Sequence, residues 1–225
     1  MRRLPACLAF VLAATAGAAG VADLTSSDAT SGLRQALSDG SIAAVAKLGV
    51  ENGFFANPQV KIPLPPAMQR VESAMRLAGM RKQADELVLA MNRAAEAAVP
   101  EAKQLLVDAV KKMSVQDAKG ILTGGDTAAT DYFKRATEGD LAKRFLPVVK
   151  KATDKVGLAH QYNSLAGQGA HLGLVKEDQA TIERYVTQKA LDGLYLMIGE
   201  QEKALRQNPL GASSDIVKKV FGTLR

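Results

Sequence analysis

Apolar residues recur along most of the chain with the period of an α-helix. After residue 28 they return every three or four positions, as Leu33, Leu37, Ala44 and Leu48 illustrate. This spacing places apolar side chains on one face of a helix. No stretch shows the sustained apolar–polar alternation of a half-buried strand. The pattern therefore predicts an all-α protein, folded as a single multi-helix bundle.

The helical period is lost between Gly49 and Pro66. This segment contains Asn57-Pro58 and Ile62-Pro63-Leu64-Pro65-Pro66, and each proline disfavours the α conformation in the residue before it. Its apolar residues are Phe54, Phe55, Val60, Ile62 and Leu64. Because these side chains gain free energy by packing against helices, we predict an ordered, Pro-rich loop and not a disordered linker.

A long helix is predicted near the C-terminus, from about Gln179 to Gln207, where Asn208-Pro209 ends it. A short tail helix should follow around residues 216–221. Apolar residues occupy every face of the long helix between Ala190 and Ile198. A helix that is hydrophobic all round is normally surrounded by protein. We therefore expect this helix to run through the middle of the bundle.

Two charged pairs lie in this helix. Asp192 interrupts the apolar stretch, and a buried carboxylate is costly unless it is paired. Lys189, three residues earlier, is its expected partner. Glu202 and Arg206 are four residues apart, which is the spacing of a solvated surface pair.

Two glycines lie on faces that should be packed. Gly40 shares the apolar face of the first helix, where glycine costs ~1 kcal/mol relative to alanine. Gly193 interrupts the apolar stretch of the last helix. Because glycine permits close approach, both positions predict tight contacts with neighbouring elements.

The first residues have the features of a Sec-type signal peptide. Arg2 and Arg3 form a positive region, residues 4–14 an apolar stretch, and Ala16-Gly17-Ala18 a small-residue cleavage site. We expect residues 1–18 to be a cleaved leader, residues 19–225 to form a single all-helical domain, and the protein to be periplasmic. Cys7 precedes almost all of the apolar stretch, which argues against a lipoprotein.

Composition excludes several function classes. Cys7 is the only cysteine, so the mature protein would have neither disulfides nor thiolate chemistry. The formal net charge of +6 is not accompanied by tryptophan, and aromatic residues make up only 4%, which argues against nucleic-acid binding. The helices lack a Lys/Arg-dense polar face paired with bulky aromatics, so membrane association is not expected.

Asn92, Arg93 and Glu96 form a polar cluster on a helix that is otherwise rich in Ala, Met and Leu. One interpretation joins them with Lys189 and Asp192 to line a polar pocket between helices, where a ligand head group binds. The other makes them an internal ion network that fixes helix register. We favour the structural interpretation, and the ligand pocket remains the alternative.

Metal and cofactor sites lack a recognisable motif. His160 and His171 could meet Glu177 or Asp178, but no metal-ligand spacing is present. We therefore predict neither metal nor cofactor.

Two glycine pairs are predicted to be turns. Gly167 and Gly169 should close a small helix over residues 158–166. Gly124-Gly125 precedes a helix and could bind an anion. We favour instead a turn in which Asp126 caps the following helix, because its carboxylate would repel an anion.

Several longer strings are similar to one bacterial family. They are residues 57–58 with 62–65, 91–96, 121–126, 152–158 and 185–194. Together they resemble an exported family known as a domain of unknown function, DUF4197, over essentially the whole mature chain. The resemblance implies export and a helical fold, and it transfers no activity, substrate or catalytic residue.

These observations favour a non-catalytic periplasmic binding or interaction module. Its partner is unknown, and a small, partly apolar ligand or another envelope protein would suit it. The alternative is an envelope enzyme that uses Glu96, Asp192, Lys189 or Tyr195 as acid–base groups. The enzyme needs a water-accessible cleft at those side chains, whereas the module needs an apolar cavity or an exposed apolar patch.

Overall fold

The structure, a computed structural model, describes residues 26–171, 176, 179–208, 215 and 218. Throughout this part of the chain it is all-α and contains no strand, which confirms the predicted fold class. The helices are α1 (Ser26–Leu48), α2 (Pro66–Leu77), α3 (Arg81–Ala98), α4 (Ala102–Lys112), α5 (Val115–Thr123), α6 (Ala128–Thr153), α7 (Gly157–His171) and α8 (Ile182–Gln207), with a 3₁₀ turn at Val99–Glu101. The predicted leader lies outside the described residues, as does the predicted tail helix apart from Lys218, which is helical.

Helix α8 lies at the centre of the bundle, where it packs against α6, α1 and α3. Leu191, Leu194, Met197 and Ile198 are almost fully buried, which confirms the predicted central position. Leu196 is the exception, with 43% of its surface exposed. None of the described helices is long and apolar enough to span a bilayer.

Gly193 permits the close packing that the sequence predicts, whereas the tight contact predicted at Gly40 is wrong. A Cβ at Gly193 would lie 2.7 Å from Phe54 Cε1 and 3.2 Å from Val60 Cβ. These distances are too short for non-bonded carbons, so only glycine lets the loop lie against α8. A Cβ at Gly40 would lie 3.6 Å from Gln201 Cβ, an ordinary contact between α1 and α8.

The segment between α1 and α2 is an ordered loop, as predicted. Backbone hydrogen bonds fold residues 50–61 into successive turns, so the predicted extended conformation holds only for residues 61–65. Phe54 and Ile62 are fully buried, and Leu64 is nearly so. The Tyr185 hydroxyl of α8 donates to the Pro63 carbonyl at 3.2 Å. Pro66 is the first residue of α2, where its missing N–H costs nothing.

The predicted end of α7 at Gly167 is wrong, because the helix continues to His171. Each glycine costs only ~1 kcal/mol in a helix, and packing can outweigh that preference. Leu158, Ala159, Tyr162 and Ala166 are buried along this helix. The packed turns before Gly167 therefore outweigh the glycine penalty.

Candidate functional site

A cavity of about 470 Å³ lies between α1 and α8. The start of α6 and the end of α5 complete its walls. We call it the α1–α8 cavity. Its volume falls within the range of small-molecule sites. Its apolar lining consists of Ala36, Leu37, Ala43, Ile121, Ala129, Phe133, Ile198, Ala204 and Leu205.

Small residues create this space. Ala36, Gly40 and Ala43 follow one another on α1 at intervals of four and three residues, so they share a face. Ala204 faces them from α8. Because none of the four carries more than a methyl group, the two helices leave a gap between their packed segments.

A buried ion pair forms one polar wall of the cavity. Arg206 donates from Nε and Nη2 to Glu202 Oε1, at 3.1 and 2.9 Å. The side chains are only 13% and 3% exposed, respectively. The predicted solvated pair is therefore wrong. The stripe of Leu194 and Ile198 continues to Glu202 at intervals of four residues, which turns the carboxylate inward.

Glu202 also accepts hydrogen bonds from backbone N–H groups at the N-terminus of α6. Its carboxylate accepts hydrogen bonds from the Ala129 and Thr130 backbone N–H groups, each at 3.0 Å, and from the Thr130 hydroxyl. The N-cap residue Thr127 makes no side-chain capping bond. The predicted cap by Asp126 is therefore wrong, because a carboxylate from α8 reaches the same N–H groups across the bundle.

Polar residues also line the cavity where it opens to solvent, which we call its mouth. Asp39, Gln201 and Asn208 line it, and Asp39 and Asn208 are exposed. Asp39 accepts a hydrogen bond from Gln35 Nε2 at 2.8 Å. Among the described residues it forms no ion pair.

The structure brings together three of the five residues predicted as a polar network. Asn92 is fully buried and bonds to both backbone groups of Ile62. Glu96 is 5% exposed, and its Oε1 accepts from the Phe54 and Phe55 backbone N–H groups at 2.9 and 3.0 Å. These side chains therefore hold the Pro-rich loop against α3.

Arg93 completes this network at the protein surface. Its Nη1 donates to Glu96 Oε2 at 2.6 Å. Its Nη2 donates to Glu51 and to Asn52, each at 3.0 Å. Asn52 has a φ of 69°, a left-handed conformation that asparagine tolerates. Arg93 thus ties the neutralised carboxylate of Glu96 to the start of the loop.

Lys189 and Asp192 lie elsewhere. Lys189 Nζ is 3.2 Å from Asp192 Oδ2, and the side chains are 43% and 44% exposed. The predicted burial of Asp192 is therefore wrong. Asp192 lies four residues before the exposed Leu196, and both belong to the outward face of α8. Within the described part of the chain, no hydrogen bond or ion pair joins Lys189 or Asp192 to the network on α3.

Asp192 and Tyr195 line a second groove of about 510 Å³, between α6 and α8. The Tyr195 hydroxyl lies 3.0 Å from Thr137 Oγ1. Burial raises the pKa of Tyr195 to about 12, so its phenol stays protonated near neutral pH. Glu96 and Lys189 do not line this groove. The four acid–base residues of the enzyme hypothesis therefore do not share one cleft.

The described residues contain no group of three or more His, Cys, Asp and Glu side chains that could hold a metal ion. His160 is exposed, and its Nε2 lies 2.7 Å from the Asp154 carbonyl oxygen. The side chain of His171, and both Glu177 and Asp178, lie outside the description. Gly124 and Gly125 lie in the turn before α6, whose first N–H groups bind Glu202.

These features define a helical-bundle protein with a partly open apolar cavity beside its central helix. Within that class, the chain belongs to the family described as "Protein of unknown function (DUF4197)", whose model matches residues 23–222. This membership confirms the resemblance found in the sequence. No curated protein and no solved structure matches the chain.

Proposed function

We propose that the protein is a non-catalytic binding module of the cell envelope, exported to the periplasm after loss of residues 1–18. Its ligand is small and partly apolar, and it occupies the α1–α8 cavity. The observation that carries this proposal is the cavity itself, which combines an apolar lining with polar groups near its mouth. That combination is typical of ligand sites, where a few polar groups orient a mainly apolar ligand.

Exposed apolar surface in a concave site favours ligand binding. Burying apolar surface releases roughly 25 cal/mol per Å², and Ala43, Ala204 and Leu205 supply accessible apolar surface at the cavity walls. Glu202 already holds the start of α6 in place. The walls are therefore fixed before a ligand arrives, which lowers the ordering cost of binding.

The alternative, an envelope enzyme, has weaker support. Glu96 is committed to loop N–H groups and Arg93. Lys189 and Asp192 neutralise each other at the surface. A general base needs a pKa near the working pH, and burial moves that of Tyr195 to about 12.

Binding to the cavity is testable with a neutral apolar fluorophore such as N-phenyl-1-naphthylamine. Ala43 and Ala204 line the cavity with exposed side chains, so Ala43→Phe/Ala204→Phe should fill the space without disturbing the core. We expect this double variant to weaken probe binding about tenfold or more, a loss of roughly 1.4 kcal/mol. The matched control is Ala97→Phe/Ala152→Phe, at exposed positions away from the cavity.

Two results would count against the proposal. Failure of the wild-type protein to bind the probe would remove the cavity as a ligand site. Equal weakening by the two double variants would show that the probe does not report on the cavity. Native mass spectrometry of protein purified from the periplasm tests the natural ligand, and we expect an adduct that the cavity-filled variant lacks.

Export is tested separately by the intact mass of the protein in the periplasmic fraction. A chain that begins at Ala19 is expected. Full-length protein retained in the cytoplasm would contradict the periplasmic part of the proposal and leave the cavity part intact.

A further inference from the structure

We infer that the ligand of the α1–α8 cavity is a single-chain amphiphile with a cationic head group. This inference rests on the proposed function and names the chemistry of that same site. Its basis is the balance of charge around the cavity, which leaves one carboxylate at the mouth above an apolar interior.

The two buried charges of the cavity lining neutralise each other. Its charged lining residues are Asp39, Glu202 and Arg206. Glu202 and Arg206 form a buried pair at 2.9 Å. Arg206 also donates to the Ile121 carbonyl at 2.8 Å, which fixes the guanidinium against the end of α5. The pair therefore contributes little net charge to a ligand.

The helix ends at the cavity leave a small negative charge. The N-terminus of a helix carries about +0.5 charge and the C-terminus about −0.5. The start of α6 lies at the cavity and is covered by the Glu202 carboxylate. The end of α8 also borders the cavity, through Ala204 to Asn208. The end of α5 borders it through Ile121. Together the three partial charges leave about −0.5, which has the same sign as Asp39.

Asp39 is therefore the only lining side chain in the described residues whose full charge is not neutralised by an ion pair. It is exposed, lies on the cavity wall, and has only the neutral Gln35 amide as a hydrogen-bond partner among the described residues. An ammonium group at the mouth would be attracted by this carboxylate, and a carboxylate or sulfate head would be repelled. The positive net charge of the whole chain acts weakly here, because charges beyond about 8 Å are screened at physiological ionic strength.

The interior fits an alkyl chain. Ala43, Ala204 and Leu205 present accessible carbon surface along the gap between the helices. The small side chains of α1 leave room for a narrow chain. An amphiphile would thus bury its tail beside Leu205 and place its head near Asp39.

The test compares three molecules with the same decyl tail: decyltrimethylammonium, decanol and decyl sulfate. Each displaces N-phenyl-1-naphthylamine from the full chain at physiological ionic strength and below its micelle concentration. We expect the cation to bind at least about tenfold more tightly than the sulfate, because the carboxylate attracts one and repels the other. The affinity of decanol should lie between those of the two ions, and high salt should reduce the difference in affinity between the cation and the sulfate.

Variants assign the preference to its residue. Asp39→Asn should remove most of the difference between cation and sulfate while leaving decanol affinity unchanged. Asp140→Asn is the matched control, because Asp140 is an exposed carboxylate on α6 away from the cavity. It should keep the preference.

The outcomes separate the two proposals. If none of the three molecules displaces the probe, the proposed cavity function fails. If decanol binds but the sulfate binds as tightly as the cation, only the inference about the head group fails. A preference for the cation that survives in Asp39→Asn would also overturn it.

Discussion

Asn92 on α3 and Ile62 in the Pro-rich loop exchange two hydrogen bonds. The Ile62 N–H donates to Asn92 Oδ1 at 2.8 Å, and Asn92 Nδ2 donates to the Ile62 carbonyl at 2.9 Å. The side-chain amide thus supplies the donor and the acceptor that a neighbouring strand would otherwise offer to an extended segment. Because both residues are fully buried, this exchange explains how an extended loop is held in an all-helical protein.

Replacing Asn92 should destabilise the fold. Asn92→Ala leaves the Ile62 N–H and carbonyl without their partner, and each buried unsatisfied group costs ~1–3 kcal/mol. We expect a total loss of about 3 kcal/mol in urea unfolding. Gln104→Ala is the control, since Gln104 bonds to Asp108 at the surface, and its effect should stay below about 0.5 kcal/mol. Similar losses in the two variants would contradict the role of Asn92.

Glu202→Gln should be more damaging than the same change at a surface pair. Removing one partner of a buried ion pair costs ~3–5 kcal/mol, because the remaining charge is left unpaired. Glu72 pairs with Arg76 at the same four-residue spacing but is far more exposed. Glu72→Gln should therefore cost less than about 1 kcal/mol. Thermal and urea unfolding measure both losses, and equal losses would show that Glu202 is not a buried anchor.

Gly193→Ala should destabilise the contact between α8 and the loop. The added methyl group would lie 2.7 Å from Phe54 Cε1, and overpacking of this kind costs ~1–3 kcal/mol. Gly139→Ala is a control for which we expect the opposite change in stability, because nothing lies within 4 Å of its Cβ position in α6. It should stabilise the protein by up to about 1 kcal/mol.

A second substitution tests the cause of the Gly193 effect. Phe54→Leu should recover part of the stability lost in Gly193→Ala, since it removes the ring that the methyl group meets. Strict additivity of the two losses would contradict the proposed contact.

Alkaline pH should reveal the buried phenol of Tyr195. Burial raises its pKa to about 12, whereas an unfolded tyrosine has a pKa of about 10. The folded state therefore keeps a proton that the unfolded state loses. The associated stability is fully present below pH ~10 and is lost as pH rises towards 12.

The measurement is the free energy of unfolding across this pH range. Wild-type stability should fall by roughly 1 kcal/mol per pH unit more steeply than that of Tyr195→Phe. Thr137 keeps its hydrogen bond to the Phe133 carbonyl in this variant. Parallel slopes for the two proteins would contradict the raised pKa.

The sequence predicts the parts of the fold that depend on local pattern. Residues 190–198 are apolar on nearly every face, and α8 is central. Prolines exclude helix from the loop, and its apolar residues indicate that it is packed. Gly193 lies where a close approach is needed, although the identity of the approaching residue, Phe54, depends on tertiary structure.

The cavity and its ion pair depend on contacts that local spacing does not encode. Glu202 and the Thr130 amide that it binds are 72 residues apart, so the i, i+4 spacing with Arg206 indicated only a surface pair. One signal was present: Glu202 continues the apolar stripe of Leu194 and Ile198 at intervals of four residues. The same four-residue spacing places Asp192 on the face of the exposed Leu196 and not on the buried face of Glu202.

A crystal structure of the full chain with decyltrimethylammonium tests the central claim most directly. We expect the alkyl chain between α1 and α8, in contact with Ala204 and Leu205, and the ammonium group near Asp39. Electron density for the molecule only elsewhere on the protein, or an α1–α8 cavity closed by the protein's own side chains, would contradict the account.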